Sequence, residues 1–159
     1  MRRVLSTSEA VAWREELGRR GKRVVFTNGV FDILHPGHVR YLAEARRQGD
    51  ALIVAVNSDR SVRAIKGPTR PINPERDRAE ILAALACVDA VVVFVEDDPY
   101  ALIAAIQPDV LVKGADWAAD RIVGRDTVEA GGGRVVRAPI ETGYSTSVIV
   151  ERARALPRR

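Results

Sequence analysis

This chain of 159 residues has only one cysteine and two histidines, and it lacks a long apolar run. The single cysteine, Cys87, excludes an internal disulfide framework, and its position in the apolar run ILAALACVDAVVVF predicts a buried structural thiol. No apolar stretch reaches the roughly 18–20 residues that span a membrane, and the opening MRRVLSTSEA lacks the core of a signal peptide. We therefore expect a cytoplasmic protein without a membrane partner.

Blocks of like charge are also absent. The net charge is +4 and the pI is near 9.7, but the basic residues are spread along the chain. Neither a nucleic-acid-binding motif nor a basic patch interleaved with aromatic residues is present, so no nucleic-acid partner is expected. The modest positive field would still help to attract a polyphosphate substrate.

What is present is a regular alternation of short strands and helices. β-branched stretches predict five strands, at 24–27, 51–56, 90–95, 109–112 and 134–137. Helices are predicted at 6–20, where Ser6 opens a capping box, and at 36–47, 73–85, 98–106, 120–130 and 146–155. Asn73 and Asp98 are predicted N-caps, each followed by a proline in the first helical position.

This order of elements favours the α/β class. It predicts a Rossmann-like, doubly wound parallel sheet of five strands with helices on both faces. The chain is expected to form a single domain, 1–159, in which 1–22 are an N-terminal helical extension. Ligands of such folds bind beyond the carboxyl ends of the strands, so a site is expected in the turns at 27–38, 57–73, 113–120 and 138–147.

The first of these turns lacks both the Walker loop and the three spaced glycines of a dinucleotide fingerprint. It reads TNGVFDILHPGH, in which Gly29 and Gly37 allow a ligand to come close and Pro36 suits the first turn of a helix. His35 and His38 are about one helical turn apart, so both can face one site above the helix N-terminus, where anions are favoured. The alternative is that His35 only caps the helix and His38 lies on the surface.

HPGH after TNGVFD resembles the His-x-Gly-His signature of the nucleotidyltransferases related to cytidylyltransferases and class I tRNA synthetases. ETGYSTSVIV, at 141–150, resembles their second signature, a Ser/Thr-rich turn that opens a late helix. The resemblance continues through DALIVAVNSD, KGPTRPINP, ERDRAEILAAL and DVLVKGADW, and these segments look most like the D-glycero-β-D-manno-heptose 1-phosphate adenylyltransferases. In some bacteria that activity is one half of a bifunctional protein with a sugar kinase; no kinase-sized segment is present here, so the free-standing form is expected.

The resemblance implies the transfer of AMP from ATP to this sugar 1-phosphate, which yields ADP-heptose and pyrophosphate. It also implies Mg²⁺ bound to the triphosphate, a homodimer, and no metal site made by the protein itself. A sugar phosphate is already an anionic nucleophile at pH 7, so positioning and electrostatic stabilisation are needed rather than a general base. The absence of a Ser-His-Asp or Cys-His arrangement agrees with this chemistry.

Individual residues match the family's functional positions. His35, His38 and Lys66 match catalytic positions that contact or offset phosphate charge. The matches to nucleotide-binding positions, with Asp116 expected beside the nucleoside, are Thr27, Asn28, Gly29, Phe31, Asp32, Gly37, Asp116, Gly143, Ser145, Thr146 and Ser147. The residues expected to bind the sugar phosphate are Asn57, Asp59, Lys66 and Arg78.

Some of these residues also have a plainer interpretation. Lys66 could be a solvated loop lysine, Arg78 a surface residue, and Asn57 and Asp59 ordinary turn residues. Without the first motif, the late Ser/Thr turn would be an ordinary helix cap.

The choice of nucleotide depends on the late turn. Glycerol-phosphate cytidylyltransferases carry an arginine early in that turn, where Ile140 stands here, and this departure favours ATP over CTP. Two other functions stay open: a cytidylyltransferase acting on glycerol 3-phosphate or a similar phosphorylated alcohol, and a nucleotide-binding sensor without turnover.

Overall fold

A computed structural model describes residues 3–157 of the chain; residues 1–2 and 158–159, the ends of the predicted domain, lie outside it. The strands are β1 (Arg3–Leu5), β2 (Val24–Gly29), β3 (Ala51–Asn57), β4 (Ala90–Phe94), β5 (Val110–Gly114) and β6 (Arg134–Ala138). The helices are α1 (Thr7–Arg19), α2 (Pro36–Arg46), α3 (Asp59–Lys66), α4 (Glu75–Ala84), α5 (Tyr100–Ile106), α6 (Arg125–Ala130) and α7 (Thr146–Arg154), with a 3₁₀ turn at Ala119–Arg121.

The strands form one parallel sheet in the order β1-β4-β3-β2-β5-β6. Successive side chains of a strand point to opposite faces, so a strand buried on both faces is apolar throughout. In β2, Phe26 packs into a cluster with Ile103 of α5, whereas Val25 packs into a second cluster with Leu42 of α2 and Leu82 of α4. Helices therefore cover both faces, and the predicted α/β class and doubly wound arrangement are confirmed.

The order of strands reverses beside β2. From β2 the chain moves through β3 to β4 on one side, and it then crosses to β5 and β6 on the other. The connections that leave the carboxyl ends of β2 and β5 diverge at this point, and a crevice opens between them. The fold thus places the ends of these two strands, at Gly29 and Gly114, beside a natural binding cleft.

The sheet has six strands, so the predicted number of five was wrong. Residues 1–22 were expected to be a helical extension, but Arg3–Leu5 pair in parallel with the edge of β4. The capping box that starts α1 is as predicted, since the hydroxyl of Ser6 accepts from the N–H of Glu9 and the Glu9 carboxylate accepts from the N–H of Ser6. A strand of three residues carries too little periodicity to be recognised, and it exists because β4 offers an unpaired edge.

Three features of the helices also differ from the prediction. Helix α5 begins at Tyr100 with Pro99 at its N-cap, so Asp98 is not the N-cap, although its carboxylate accepts from the N–H of Tyr100 at 2.8 Å. The turn at 57–73 contains α3, and Lys66 is its last residue rather than a loop residue.

Pro74, not Asn73, occupies the N-cap of α4, and the side-chain amide of Asn73 instead donates to the carbonyl of Asp32 at 2.8 Å. The hydrogen bond to Asp32 thus replaces the local capping hydrogen bond that was expected from Asn73.

Cys87 is half-buried against the second of the two apolar clusters. Within residues 3–157, no helix is both long enough and apolar enough to cross a bilayer.

Candidate active site

A cavity of about 460 Å³ lies at the point where the strand order reverses. Its walls come from the turn after β2, the start of α2, the end of α3 and the α3–α4 connection, the turn after β5, and the segment from β6 into the start of α7. The sequence-predicted residues that line it are Asn28, Gly29, Phe31, Asp32, His35, Gly37, His38, Lys66, Asp116, Ser145, Thr146 and Ser147. Residues from distant parts of the chain therefore meet in one cavity.

The two histidines stack on each other above the start of α2. Their ring centroids are 3.7 Å apart with an interplanar angle of 17°. His35 is the N-cap of α2, where its Nδ1 accepts from the N–H of His38 at 3.3 Å. The capping role held open for His35 is thus real, but the same residue also lines the cavity, and His38 is partly buried rather than on the surface.

Both imidazoles are held in their neutral form at pH 7. Burial lowers the pKa of His35, and burial together with the charge of the neighbouring His35 lowers the pKa of His38 to about 4. The Phe31 ring meets His38 edge-on at 5.2 Å. Among the described residues, the buried Nδ1 of His38 and Oδ1 of Asn28 have no hydrogen-bond partner. Such groups in a cavity wall are available to a polar ligand.

The late Ser/Thr turn forms the neighbouring part of the cavity wall. The hydroxyl of Ser145 caps α7 by accepting from the N–H of Val148 at 3.1 Å. The hydroxyl of Thr146 donates to the carbonyl of Ile33 at 3.2 Å, which ties this turn to the segment just before the histidines. Two helix N-termini, those of α2 and α7, therefore open onto the same cavity, and each favours an anion through its free N–H groups.

Tyr144 joins the two motifs directly. Its ring is stacked near His35 at 6.1 Å, and the guanidinium of Arg40 lies 5.6 Å from the centre of that ring while pairing with Glu141. A Cβ atom added to Gly37 would lie 3.0 Å from the Cβ of Tyr144. A larger residue at position 37 would therefore force the two segments apart by a few tenths of an ångström.

Lys113, at the end of β5, is a buried amine that faces the cavity. It is 8% exposed, and its Nζ lies 5.5 Å from the centre of the Trp117 ring. Burial lowers the pKa of Lys113 to about 8, and the nearby charge of Asp116 offsets this only in part. Tyr41 is a second buried group on the wall: its hydroxyl shares a hydrogen bond of 2.8 Å with Thr27, and burial raises the pKa of Tyr41 to about 12.

Some predicted residues do not reach the cavity wall. Thr27 is fully buried behind the wall, where its hydroxyl bonds to that of Tyr41, which does line the cavity. Gly143, with a φ of 88°, lines a neighbouring cavity on the other side of the late turn.

Arg78, Asn57 and Asp59, predicted to bind the substrate, form an internal network instead. Arg78 is 1% exposed and donates to the carbonyl of Val30 at 2.7 Å and to Asp59 at 2.8 Å. Asn57 donates to the hydroxyl of Ser61 at 3.0 Å. A buried guanidinium must be paired to be tolerated, so Arg78 is neither the surface residue nor the cavity-facing residue that the sequence suggested.

Sequence reasoning missed Arg70 altogether. It lies in the α3–α4 connection, lines the cavity and pairs with Asp32 at 2.6 Å. The one signal that could have found it was its position in the turn at 57–73, among the four turns where a site was expected. Lys113 and Trp117 lie in the turn at 113–120, where a site was expected, but neither was assigned a role of its own.

Comparisons with known proteins agree with this architecture. A profile of the cytidylyltransferase-like family matches residues 26–152. The chain is 57% identical over 134 residues to the bifunctional protein HldE of Syntrophotalea carbinolica. The matched region covers 84% of this chain and 27% of that protein. The chain is 51% identical over 155 residues to the bifunctional protein HldE of Acidiphilium cryptum, with coverages of 98% and 32%. The chain thus spans about a third, or less, of the length of these curated relatives.

A solved structure is similar along its whole length. The lipopolysaccharide core biosynthesis protein from Thermoplasma volcanium superimposes with a TM-score of 0.63 at 32% sequence identity, covering 79% of this chain and 100% of that chain.

Proposed function

The chain belongs to the cytidylyltransferase-like family, and from this premise we propose that it transfers AMP from ATP to D-glycero-β-D-manno-heptose 1-phosphate. The products are ADP-heptose and pyrophosphate. The observation that carries the proposal is the convergence of the stacked histidines and the Ser145–Ser147 turn on one cavity. The similarity to the HldE proteins and to the lipopolysaccharide core biosynthesis protein supports the choice of a sugar phosphate as acceptor.

In the proposed reaction, a phosphate oxygen of the acceptor attacks the α-phosphorus of ATP. The bond between the α-phosphorus and the bridging oxygen breaks, and pyrophosphate leaves with that electron pair. The acceptor is already anionic, so no protein group has to remove a proton. The chain contributes by holding two anions together and by donating hydrogen bonds to the charge that develops on the leaving group.

The histidines supply hydrogen bonds rather than full positive charge. At pH 7 the lowered pKa values leave both imidazoles neutral, and each neutral ring has one N–H donor. The N–H groups at the starts of α2 and α7 add further donors, and Lys113 supplies a cationic group on another wall. This set matches the spread-out charge of a triphosphate.

Mg²⁺ enters with the triphosphate, whose oxygens are the ligands that this ion prefers. Asp116 lies on the cavity wall and is the carboxylate that could hold its water shell, because Asp32 is occupied by its protein partners and Glu141 is paired with Arg40. No group of three or more His, Cys, Asp or Glu side chains within residues 3–157 is arranged to hold an ion alone. We propose that the ion enters the cavity as part of the substrate MgATP.

The preference for ATP is supported by Ile140. This side chain lines the cavity, and its Cδ1 would lie 2.3 Å from a Cβ added to Gly114, so it covers the end of β5 closely. An apolar side chain there offers no charged donor to the base, unlike the arginine of the cytidylyltransferases.

A pyrophosphate-release assay tests the proposal. ATP, CTP and GTP are each paired with heptose 1-phosphate, glycerol 3-phosphate and phosphoethanolamine, and we expect turnover with ATP and heptose 1-phosphate. The His38→Ala variant, purified in the same way, controls for contaminating activity. Turnover confined to CTP with glycerol 3-phosphate would establish the cytidylyltransferase instead, and tight ATP binding without any turnover would establish a sensor.

A further inference from the structure

Asp32 and Arg70 form a largely buried ion pair in the cavity wall. The side chains are 1% and 17% exposed, and the Nε of Arg70 lies 2.6 Å from Oδ2 of Asp32. Burial by itself would raise the pKa of the Asp32 carboxyl, but N–H donors from Asn73 and Ile72 and the Arg70 guanidinium lower it below its usual value. The carboxylate is therefore ionised at neutral pH.

Every strong acceptor position of Asp32 is already used within the protein. Besides Arg70, its carboxylate accepts from the N–H of Ile72 at 2.8 Å and from the N–H of Asn73 at 2.9 Å. Its carbonyl accepts from the side chain of Asn73 at 2.8 Å. Asp32 was predicted to bind the nucleotide, but these contacts leave it little capacity for a ligand and make it the anchor of the α3–α4 connection.

Arg70 is in the opposite situation. Its Nε is bonded to Asp32, whereas its Nη1 and Nη2 make no hydrogen bond to any residue between 3 and 157. A guanidinium carries five N–H donors in a rigid fork, and Nη1 and Nη2 of Arg70 are not among the buried side-chain atoms that lack a partner, so a ligand can reach them from the cavity. A carboxylate fixed on the Nε side pre-organises the other edge of the fork, which belongs to a residue lining the cavity.

The cavity thus has two separate groups of anion-binding residues. One consists of the histidines and the Ser145–Ser147 turn at the starts of α2 and α7, which suit the triphosphate. The other comes from the α3–α4 connection and the end of α3, namely Arg70 and Lys66. A transfer between two phosphate-bearing substrates needs two such groups, one for each anion.

Resting on the proposed function, we propose that Arg70 binds the phosphate of the acceptor and determines its orientation, and that Asp32 is a positioning residue acting through Arg70. A bidentate guanidinium holds two of the three terminal oxygens of a phosphate monoester. The third oxygen is then left to attack the α-phosphorus of ATP. A lysine at this position could supply charge but not this orientation.

The test is a binding measurement in two steps. The Kd of α,β-methylene-ATP with Mg²⁺ is measured first, and heptose 1-phosphate is then titrated into the saturated complex by calorimetry. We expect Arg70→Gln to raise the Kd of the acceptor about 10- to 100-fold, since a charged hydrogen-bonded contact is lost. The Kd of the ATP analogue should change by less than about threefold because its phosphates lie on the other group of residues.

Three further variants separate orientation from charge and fold. Arg70→Lys should bind the acceptor better than Arg70→Gln and yet turn over more slowly than the wild type. Asp32→Asn should weaken acceptor binding, and combining it with Arg70→Gln should add less than about threefold to the single Arg70 variant, because both act through one contact. Arg63→Gln, an exposed arginine on α3, is the matched control and should behave as the wild type.

Each outcome decides something. An unchanged acceptor Kd in Arg70→Gln, or a loss of ATP-analogue binding as large as the loss of acceptor binding, would overturn the inference. If the wild type binds glycerol 3-phosphate or phosphoethanolamine but not heptose 1-phosphate, the proposed acceptor is wrong, and Arg70→Gln is then expected to lose the ester that does bind. If no phosphate monoester binds, both proposals are rejected.

Discussion

Some residues of this cavity carry a charge that their burial in the folded protein disfavours. Lys113 is the plainest case, because burial disfavours its ammonium form and lowers its pKa to about 8 against an ordinary 10.5. The Trp117 ring and the charge of Asp116 compensate only in part. Such a group costs stability, and the cost is consistent with a role in binding a polyanion that supplies the missing partner.

Replacing Lys113 with methionine should therefore stabilise the free protein. Below pH 8 the folded state bears the full cost of the buried charge, and between pH 8 and 10.5 the unfolded chain holds the proton more tightly, so this cost disappears as the pH rises. We expect the free energy of unfolding to increase by about 1–3 kcal/mol at pH 7 and the gain to fade toward pH 10.5.

Urea unfolding at several pH values measures this effect. The same variant should bind MgATP more weakly, since one cationic group is removed from the cavity. A Lys113→Met protein that is less stable than the wild type at pH 7 would contradict the prediction.

At the scale of elements, two helix starts define the cavity. α2 and α7 are each capped by a side chain of a predicted motif, His35 and Ser145, and the turn before α7 packs against α2 through Tyr144 and Gly37. The histidine motif was recognisable because it combines a cap, a proline and a glycine within one helical turn. The contact with Tyr144 was not recognisable, since it joins segments that are about a hundred residues apart.

Changing Gly37 to alanine should lower turnover while leaving the stability of the fold nearly unchanged. Alanine is the better helix former by roughly 1 kcal/mol, so the thermal midpoint should not fall by more than a few degrees. The new Cβ would crowd Tyr144 at 3.0 Å and the Nδ1 of His35 at 3.1 Å, which displaces the two walls from each other. We expect turnover to drop at least about tenfold, because small displacements of catalytic groups are costly.

Pyrophosphate release and thermal denaturation of the same preparation check this expectation. Gly18→Ala in α1 is the control, because an added Cβ there lies outside the cavity wall and meets only the guanidinium of Arg14, so any loss of stability it causes should leave turnover of the folded protein unchanged. Full turnover in Gly37→Ala would show that the close contact is not needed.

At the scale of the whole molecule, the site lies far across the sheet from β1. Two strands, β4 and β3, separate β1 from β2, whose carboxyl end opens onto the cavity. β1 adds backbone hydrogen bonds to the edge of β4, and Leu5 packs on the first apolar cluster. Its contribution is to stability and to covering an exposed edge.

A chain shortened to begin at Ser6 should therefore be less stable but equally active when folded. We expect the free energy of unfolding to fall by about 1–3 kcal/mol, with the KM for ATP unchanged at a temperature where the protein is folded. Urea unfolding and steady-state kinetics measure the two effects. Val4→Thr, which alters an exposed side chain and keeps the strand, is the control. A raised KM for ATP in the shortened chain would show that β1 affects the active site as well as stability.

The sequence by itself determined the α/β class, the boundaries of most elements, the two motifs and the family, because these depend on local periodicity and on residue types at short spacing. Tertiary structure alone decided that β1 exists, that Arg78 is buried beneath the cavity, and that Asp32 anchors Arg70. The reason is that charged side chains and edge strands take their roles from partners distant in the chain. Only the assembled fold brings those partners within hydrogen-bonding distance.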